Sequence, residues 1–368
     1  YDSLKNRLAK DKAFKQKYEE WVKKQGWTLN EERHRNIADQ AAYILINKIL
    51  FYKALERKKN LPPLTKKEKV TELLETMREC FEAALKIDYR AVFQRDPIYD
   101  EIPLTPEAAQ RLNVLIEEVS EYDLSKMKRD VIGTLYEKLI PKDERRTLGQ
   151  FYTPPQIVGL IVKMCVRSPD DKVLDPGCGS GGFLVASYDR LLELKGKTEA
   201  DEEIHQEILS QIWGVDINKF PAHLATINLA NQNLESQSDH INVIVSDFFD
   251  IREPAQKVLA PWSSVTLDDK REEVKIPLFD AVVANPPYTR QEDIPSKQKG
   301  KVRAVSLRYG RAKISTSARA GIYTYFFIHG AKFLKDRGRM GMIVSNSWLD
   351  VGYGGDLQRF FLDHFKIL

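Results

Sequence analysis

A chain of 368 residues is too long for one average domain and suits two, and 42% hydrophobic content supports a sizeable core. The formal net charge of +4 is too small to argue, by itself, for a nucleic-acid partner. No apolar run approaches the roughly 20 residues that span a bilayer, and no signal-peptide pattern opens the chain. The three cysteines, Cys80, Cys165 and Cys178, form neither a metal-ligand spacing nor a disulfide framework, which suits a reducing, cytoplasmic setting. Tyr1 at one end and the apolar "FLDHFKIL" at the other read as cuts in a longer polypeptide.

Residues 1–146 lack strand signals and predict a helical domain. Thr28 and Glu31 stand at capping-box spacing, and Ile37, Ala41, Ile44, Leu45, Ile49 and Tyr52 then recur with helical period. "LPPL" at 61–64 breaks the pattern, and "TELLETMRECFEAALKI" resumes it. Thr105-Pro106-Glu107 combines an N-cap, a first-turn proline and an acid at the positive end of the helix dipole. A further helix is expected over about 125–139. The charges here are mixed in sign and read as solvated helix faces.

The character changes near "ERRTLGQFYTPPQIV". From Lys172 onward short apolar runs ("KVLD", "QIWGVDI", "INVIVSD", "FDAVVAN", "RMGMIVSN") alternate with helical patterns. That alternation predicts an α/β domain over 147–368 built on a mainly parallel sheet. Two polar stretches, about 251–277 and 289–320, interrupt it.

"VLDPGCGSGGF" (173–183) reads as strand, glycine turn and helix. Gly177, Gly179 and Gly181 let the backbone turn tightly and approach a ligand where a Cβ would collide. Many nucleotide folds use such a turn, and some glycine turns bind nothing. Asp216 ends the next strand, where a carboxylate accepts hydrogen bonds from ribose hydroxyls, and Asp247 ends the third, beside an adenine position. Each acid alone could merely cap the following helix; in succession they predict a nucleoside crevice. No P-loop lysine follows the glycines, which argues against a triphosphate. An adenosine ligand without phosphates fits, and S-adenosylmethionine is the common one.

"ANPPYTR" (284–290) follows a buried strand. An exocyclic amine is a poor nucleophile because its lone pair delocalises into the ring. The Asn285 carboxamide oxygen and the Pro286 carbonyl can each accept one amine hydrogen, localising the lone pair and aiming it. Pro286 and Pro287 make the turn rigid, and Tyr288 offers a flat face to an extruded base. A plain strand-terminating turn is the alternative. After it, residues 290–319 carry nine Lys/Arg against two Asp/Glu. Such a loop, including Arg290, Arg308, Arg311 and Lys313, suits phosphate contacts that form when DNA binds, or else is a solvated insertion.

With these motifs the chain resembles the amino-group DNA methyltransferases of the gamma class, over roughly 125–368. "LGQFYTPPQIV" is similar to the motif beside the methionine end of the cofactor, with Phe151, Tyr152, Thr153 and Pro154 at matching positions. "DPGCGSG", with Asp175, matches the cofactor loop, and Asp216 with Ile217, and Asp247 with Phe248, match its ribose and adenine contacts. "NPPY" matches the catalytic tetrapeptide.

The resemblance implies a seven-stranded, mostly parallel doubly wound sheet and transfer of a methyl group from S-adenosylmethionine to adenine N6 in flipped-out duplex DNA. The helical region looks like N-terminal domains of type I modification subunits and type IIG enzymes. It therefore implies a place in a restriction-modification or phage-defence system, with specificity and restriction subunits or fused domains as partners. The usual target-recognition domain is missing from this stretch, and "ERK" (56–58) and "EVK" (273–275) lack the upstream acid of a nuclease site. Cytosine N4, a protein glutamine amide, or a non-catalytic DNA-binding assembly subunit remain alternatives.

Overall fold

The computed structural model describes residues 1–24, 29–87, 89–122, 153–234, 236, 241–259, 273–288, 296–306, 308–309, 312–313, 321–349 and 354–368. The chain divides into two compact units. One comprises Tyr1–Gln150, Ala200–Gln206 and Thr226–Ile241; the other comprises Phe151–Glu199, Glu207–Ala225 and Asn242–Leu368.

The first unit is helical: α1 (Asp2–Lys10), α2 (Lys12–Lys24), α3 (Glu31–Lys58), α4 (Val70–Ile87), the single turn α5 (Arg90–Phe93) and α6 (Pro106–Ser120). The cap of α3 differs from the expected one. Asn30 is the N-cap, its side chain accepting from the Arg33 N–H at 2.7 Å, whereas Thr28 lies outside the described residues. Thr105 caps α6 as its sequence predicts, accepting from the Ala108 N–H.

Phe51 and Tyr52 are fully buried, and the Tyr52 hydroxyl donates to the Pro62 carbonyl, pinning the reversal at "LPPL". Buried Lys48 is neutralised by the Asp100 carboxylate at 2.9 Å, as a charge removed from water requires. The Tyr89 hydroxyl lies 3.3 and 3.2 Å from the Leu234 and Ser236 carbonyls, tying in the 226–241 excursion. The helix expected over 125–139 falls outside the described residues.

The second unit holds a sheet of five strands, all parallel. They are β1 (Val173–Asp175), β2 (Ile212–Asp216), β3 (Asn242–Val245), β6 (Phe279–Ala284) and β9 (Leu334–Met342), in the order β3-β2-β1-β6-β9. Five strands, rather than the implied seven, form it among the described residues. Two antiparallel ribbons stand apart: β4 (Lys257–Leu259) with β5 (Glu273–Lys275), and β7 (Arg308–Tyr309) with β8 (Ala312–Lys313).

The helices here are α7 (Pro155–Cys165), α8 (Gly182–Leu194), α9 (Glu202–Gln211), α10 (Lys219–Ala230), α11 (Ser296–Ser306), α12 (Ile322–Ala331) and α13 (Gly354–His364). Strand β9 shows that both faces of the sheet are covered. A Cβ at Gly341 would lie 2.6 Å from Ile161 Cγ2 and 2.7 Å from Cys165 Sγ, so α7 presses directly on that face. Met340 and Met342 point the other way, to within 3.7 and 3.4 Å of a Cβ built on Gly330 of α12. Strands buried on both faces explain the near-continuous apolar runs of the sequence.

Chain order runs outward from β1 through β2 to β3, then jumps back to β6 beside β1 and on to β9. That reversal is a topological switch point, and parallel sheets of this kind bind ligands outside the carboxyl ends of the strands there.

Candidate active site

The loops following β1, β2 and β6 meet at this switch point. After β1 the chain turns through Gly177, Gly179 and Gly181 into α8. The last two have φ of +51° and +88°, a region in which residues bearing a Cβ are strained. A Cβ at Gly181 would also stand 3.0 Å from the Cα and Cβ of Ala225.

Hydrogen bonds stitch the turn to the end of β2. The Cys178 N–H donates to the Val215 carbonyl at 3.0 Å, and the Gly179 N–H to Asp216 Oδ2 at 3.0 Å. Asp216 Oδ1 accepts from the Asn218 N–H at 2.7 Å. Burial pushes the Asp216 carboxyl up to about 6, with the Asn218 and Gly179 N–H groups pulling it back. Beside it Ile217 is 40% exposed, an apolar surface next to an acceptor.

Asp175 sits below this surface. It is 1% exposed, accepts from the Gly177 N–H at 3.1 Å, and is raised to about 8 by burial, with the charge of Asp216 adding to the rise. Its position is that of a group shaping the turn from beneath.

At the end of β3, Asp247 caps the 3-10 turn Phe248–Asp250 through the Phe249 N–H, and its Oδ2 lies 2.8 Å from Lys301 Nζ. Phe248 is 3% exposed and packs against Phe326, His329 and Phe333 in the aromatic core, so its ring is turned away from the surface. Nothing in the sequence singled out Lys301, one cation among nine in a basic stretch; only the fold brings it to Asp247.

Strand β6 delivers the second half of the site. The Ile343 N–H donates to the Ala284 carbonyl at 3.0 Å, and the Ile343 carbonyl accepts from the Tyr288 hydroxyl at 3.1 Å. The Asn-Pro-Pro-Tyr turn is thus held at both ends by one residue after β9. Pro286 is buried, Pro287 half-buried, and Tyr288 is 38% exposed. A Cβ built on Gly177 would lie 4.0 Å from Pro287 Cδ, so the glycine turn and the proline turn run side by side. Asn285 Nδ2 donates to Thr153 Oγ1 at 2.9 Å, while its Oδ1 is buried without a hydrogen-bond partner among the described residues. An unsatisfied buried acceptor at a strand end is unfavourable unless something fills it.

Of the other expected residues, Pro154 is the N-cap of α7 beside Thr153. Phe151, Tyr152, Arg290 and Arg311 lie outside the described residues. Arg308 and Lys313 are backbone partners across the β7–β8 ribbon. No group of potential metal ligands occurs among the described residues, and no helix there is long and apolar enough to cross a membrane.

The tight glycine turn, an acceptor at its rim and an apolar residue beside that acceptor suit an adenosine ligand. With the sheet order, they define the S-adenosylmethionine-dependent methyltransferase class of α/β fold. Comparison with known proteins narrows the class. The profile of the N-6 DNA methylases matches residues 127–364, and the chain belongs to that family. The cofactor that this fold and family imply is S-adenosylmethionine.

Among curated relatives, the type II methyltransferase M.BstVI of Geobacillus stearothermophilus is 27% identical over 238 residues, 62% of this chain and 39% of that protein. The EcoEI type I restriction enzyme methylase subunit of Escherichia coli is 27% identical over 186 residues, 50% of this chain and 32% of that subunit. The chain therefore matches 39% of one relative's length and 32% of the other's. Two solved structures share the fold. In the DrdV–DNA complex the TM-score is 0.57 at 13% identity, covering 99% of this chain and 35% of that one. For a nuclease-deletion mutant of the type ISP restriction-modification enzyme LlaGI with a DNA substrate mimic it is 0.55 at 18% identity, covering 99% and 34%.

Proposed function

We propose that this chain is the catalytic part of a DNA adenine-N6 methyltransferase within a restriction-modification system directed against foreign DNA. The observation that carries the reading is Asn285 Oδ1, buried at the end of β6 with no partner among the described residues. Asn285 Oδ1 and the Pro286 carbonyl together accept the two hydrogens of the target amine. This turns its lone pair out of conjugation with the ring and holds it for in-line attack.

S-adenosylmethionine supplies the methyl carbon: the bond to nitrogen forms as the carbon–sulfur bond breaks onto sulfur, and the surplus proton passes to solvent. Gly177, Gly179 and Gly181 let the backbone approach this cofactor, Asp216 accepts from its ribose, and Ile217 and Asp247 border its base. Thr153 and Pro154, with Phe151 and Tyr152, flank its methionine end. Tyr288 stacks on an adenine extruded from the duplex, a contact worth about 1–3 kcal/mol. Arg290, Arg308, Arg311 and Lys313 contact phosphates. Sequence choice belongs to a target-recognition part elsewhere in the protein or in a specificity subunit, and the setting is the cytoplasm.

The family's name, N-6 DNA methylase, supports adenine as the acceptor, and the relatives' names support a place among restriction-modification enzymes. The test is methyl transfer from labelled cofactor to unmethylated duplex DNA by the full-length protein, followed by digestion to nucleosides. Label is expected in N6-methyladenosine, and Asn285→Ala should lower the rate by about 10²–10³. Label in N4-methylcytosine, or transfer to a release-factor-like protein instead of DNA, would replace this reading.

A further inference from the structure

A carboxamide has an oxygen and an NH2 group of nearly equal size, so a half-turn about its last torsion exchanges an acceptor for a donor. For Asn285 the difference decides whether the site works. The target amine brings two donors, and an Asn285 turned the wrong way would set NH2 against NH2. Proline at 286 and 287 offers no N–H that could hold the oxygen in place. Some other group must set the orientation.

We propose that Thr153 is that group: a positioning residue whose hydroxyl accepts one Asn285 Nδ2 hydrogen and so turns Oδ1 toward the amine. The inference rests on the role of Asn285 proposed above. Three observations support it. Nδ2 donates to Thr153 Oγ1 at 2.9 Å, across 132 positions of sequence. Oδ1 is left buried with no partner among the described residues, as an acceptor kept for a ligand would be.

The third is rigidity: Thr153 directly precedes the Pro154 cap of α7, whose first turn is closed by the Ile157 and Val158 N–H groups on the Pro154 carbonyl. That helix lies so close to β9 that a Cβ at Gly341 would overlap Ile161 and Cys165. The hydroxyl is therefore fixed to the same sheet that carries Asn285. Either orientation makes one hydrogen bond to Thr153, but only the observed one keeps an acceptor open. It satisfies one amide N–H and leaves the threonine proton for a second acceptor. The flipped orientation would spend that proton on Oδ1 and present NH2, a donor, where the target amine needs an acceptor.

This role differs from contact with the methionine end of the cofactor, and the two are separable. Thr153→Val keeps shape and removes the hydroxyl; Thr153→Ser keeps the hydroxyl. In the full-length protein the measurements are thermal stability, cofactor dissociation constant by calorimetry, and single-turnover methylation of duplex DNA at saturating cofactor. Thr153→Val should lose about 10- to 100-fold in single-turnover rate with cofactor affinity within about twofold of the parent, and Thr153→Ser should recover most of the rate. If the valine variant does not fold, Thr153→Ala replaces it with the same readouts. A parent-like rate in the hydroxyl-free variant, with Asn285→Ala inactive, overturns the role of Thr153 and leaves that of Asn285 standing. So does a loss of cofactor affinity that matches the loss of rate. Full activity in both Asn285→Ala and Thr153→Val would remove the reading of Asn285 itself.

Discussion

Lys301 Nζ lies 2.8 Å from Asp247 Oδ2, joining helix α11 of the basic stretch to the end of strand β3, and it also reaches Asp250 Oδ1 at 2.6 Å. The next residue, Val302, is 1% exposed and belongs to the core cluster that includes Phe248, Phe249 and Phe326. A strongly basic helix is thus anchored by one apolar peg and one ion-paired lysine. Lys301→Met should cost about 1 kcal/mol, because its side chain and that of Asp247 are 32% and 15% exposed, between a surface pair and a buried one. A Lys301/Asp247 double-mutant cycle in urea would read the coupling, and additive losses would mean that the pair contributes nothing. Hydrogen exchange across 296–306 should quicken in the single variant.

With Asp216 on the cofactor's ribose as proposed above, cofactor binding should depend on pH. Asp216, pushed up to about 6 mainly by burial, offers both oxygens as charged acceptors only when ionised, because protonation turns one of them into a donor. Affinity for S-adenosylmethionine should therefore be constant above that pH and weaken below it, by at most tenfold per pH unit for one proton. Calorimetry between pH 5 and 8 checks this, and Asp216→Asn should flatten the profile while weakening binding throughout. Stability responds in the opposite sense. The folded-state carboxyls of Asp216 and Asp175, at about 6 and about 8, lie above their ordinary value of 3.8. The native state then holds protons that the unfolded chain has released. The contribution of these two groups falls as pH rises from about 4 towards 8. Asp175→Asn should remove the upper part of that slope in denaturant titrations.

Much of the sheet was legible because its strands are buried on both faces and end at Gly, Asp or Asn-Pro. The apolar runs at 173–175, 212–216, 242–245 and 279–284 all became strands. Strand β9 was only half visible. Near its start Lys335, Asp336 and Arg337 are polar and exposed, and the register with β6 shifts between Phe279 and Ala281 around Arg337, whose φ is +63°. An alternation pattern cannot survive such a break. Helix α11 was hidden in a stretch read as a loop, since among its described side chains only Val302 is deeply buried, and a single peg makes no period. The β4–β5 ribbon lay in a polar interruption for the same reason. The motif residues announced themselves by type, but the Thr153–Asn285 bond spans 132 positions and depends on how α7 crosses the sheet.

The glycine turn separates two effects that sequence alone merges. Gly179 has a φ of +51° and open space where a Cβ would go, whereas Gly181 has a φ of +88° and Ala225 backbone 3.0 Å away. Gly179→Ala should cost about 1 kcal/mol of stability, from backbone conformation alone. Gly181→Ala adds a collision between α8 and α10 and should cost roughly 2–4 kcal/mol. Chemical denaturation of the two variants measures the difference. Equal losses would place the requirement in the dihedral angle rather than in the packing.

The basic stretch makes a separate prediction about DNA. Nine Lys/Arg against two Asp/Glu over 290–319 would repel one another if they served only the fold. Strands β7 and β8 put Arg308 and Lys313 at paired backbone positions within that cationic run. Phosphates would relieve that repulsion. Tyr309, between these cations, packs its ring against Phe360, His364 and Phe365, so the ribbon has an apolar attachment as well as a charged edge. Reversing Arg308 and Arg311 to Glu should weaken duplex binding and lower the slope of log affinity against log salt by roughly two, about 0.9 per lost phosphate contact. Cofactor affinity should stay at the parent value, because neither residue belongs to the glycine turn or the acids beside it. Fluorescence anisotropy on a labelled duplex at several salt concentrations reads both quantities. A parallel drop at every salt, with the slope intact, would assign the loss to the ribbon's structure instead of to phosphates.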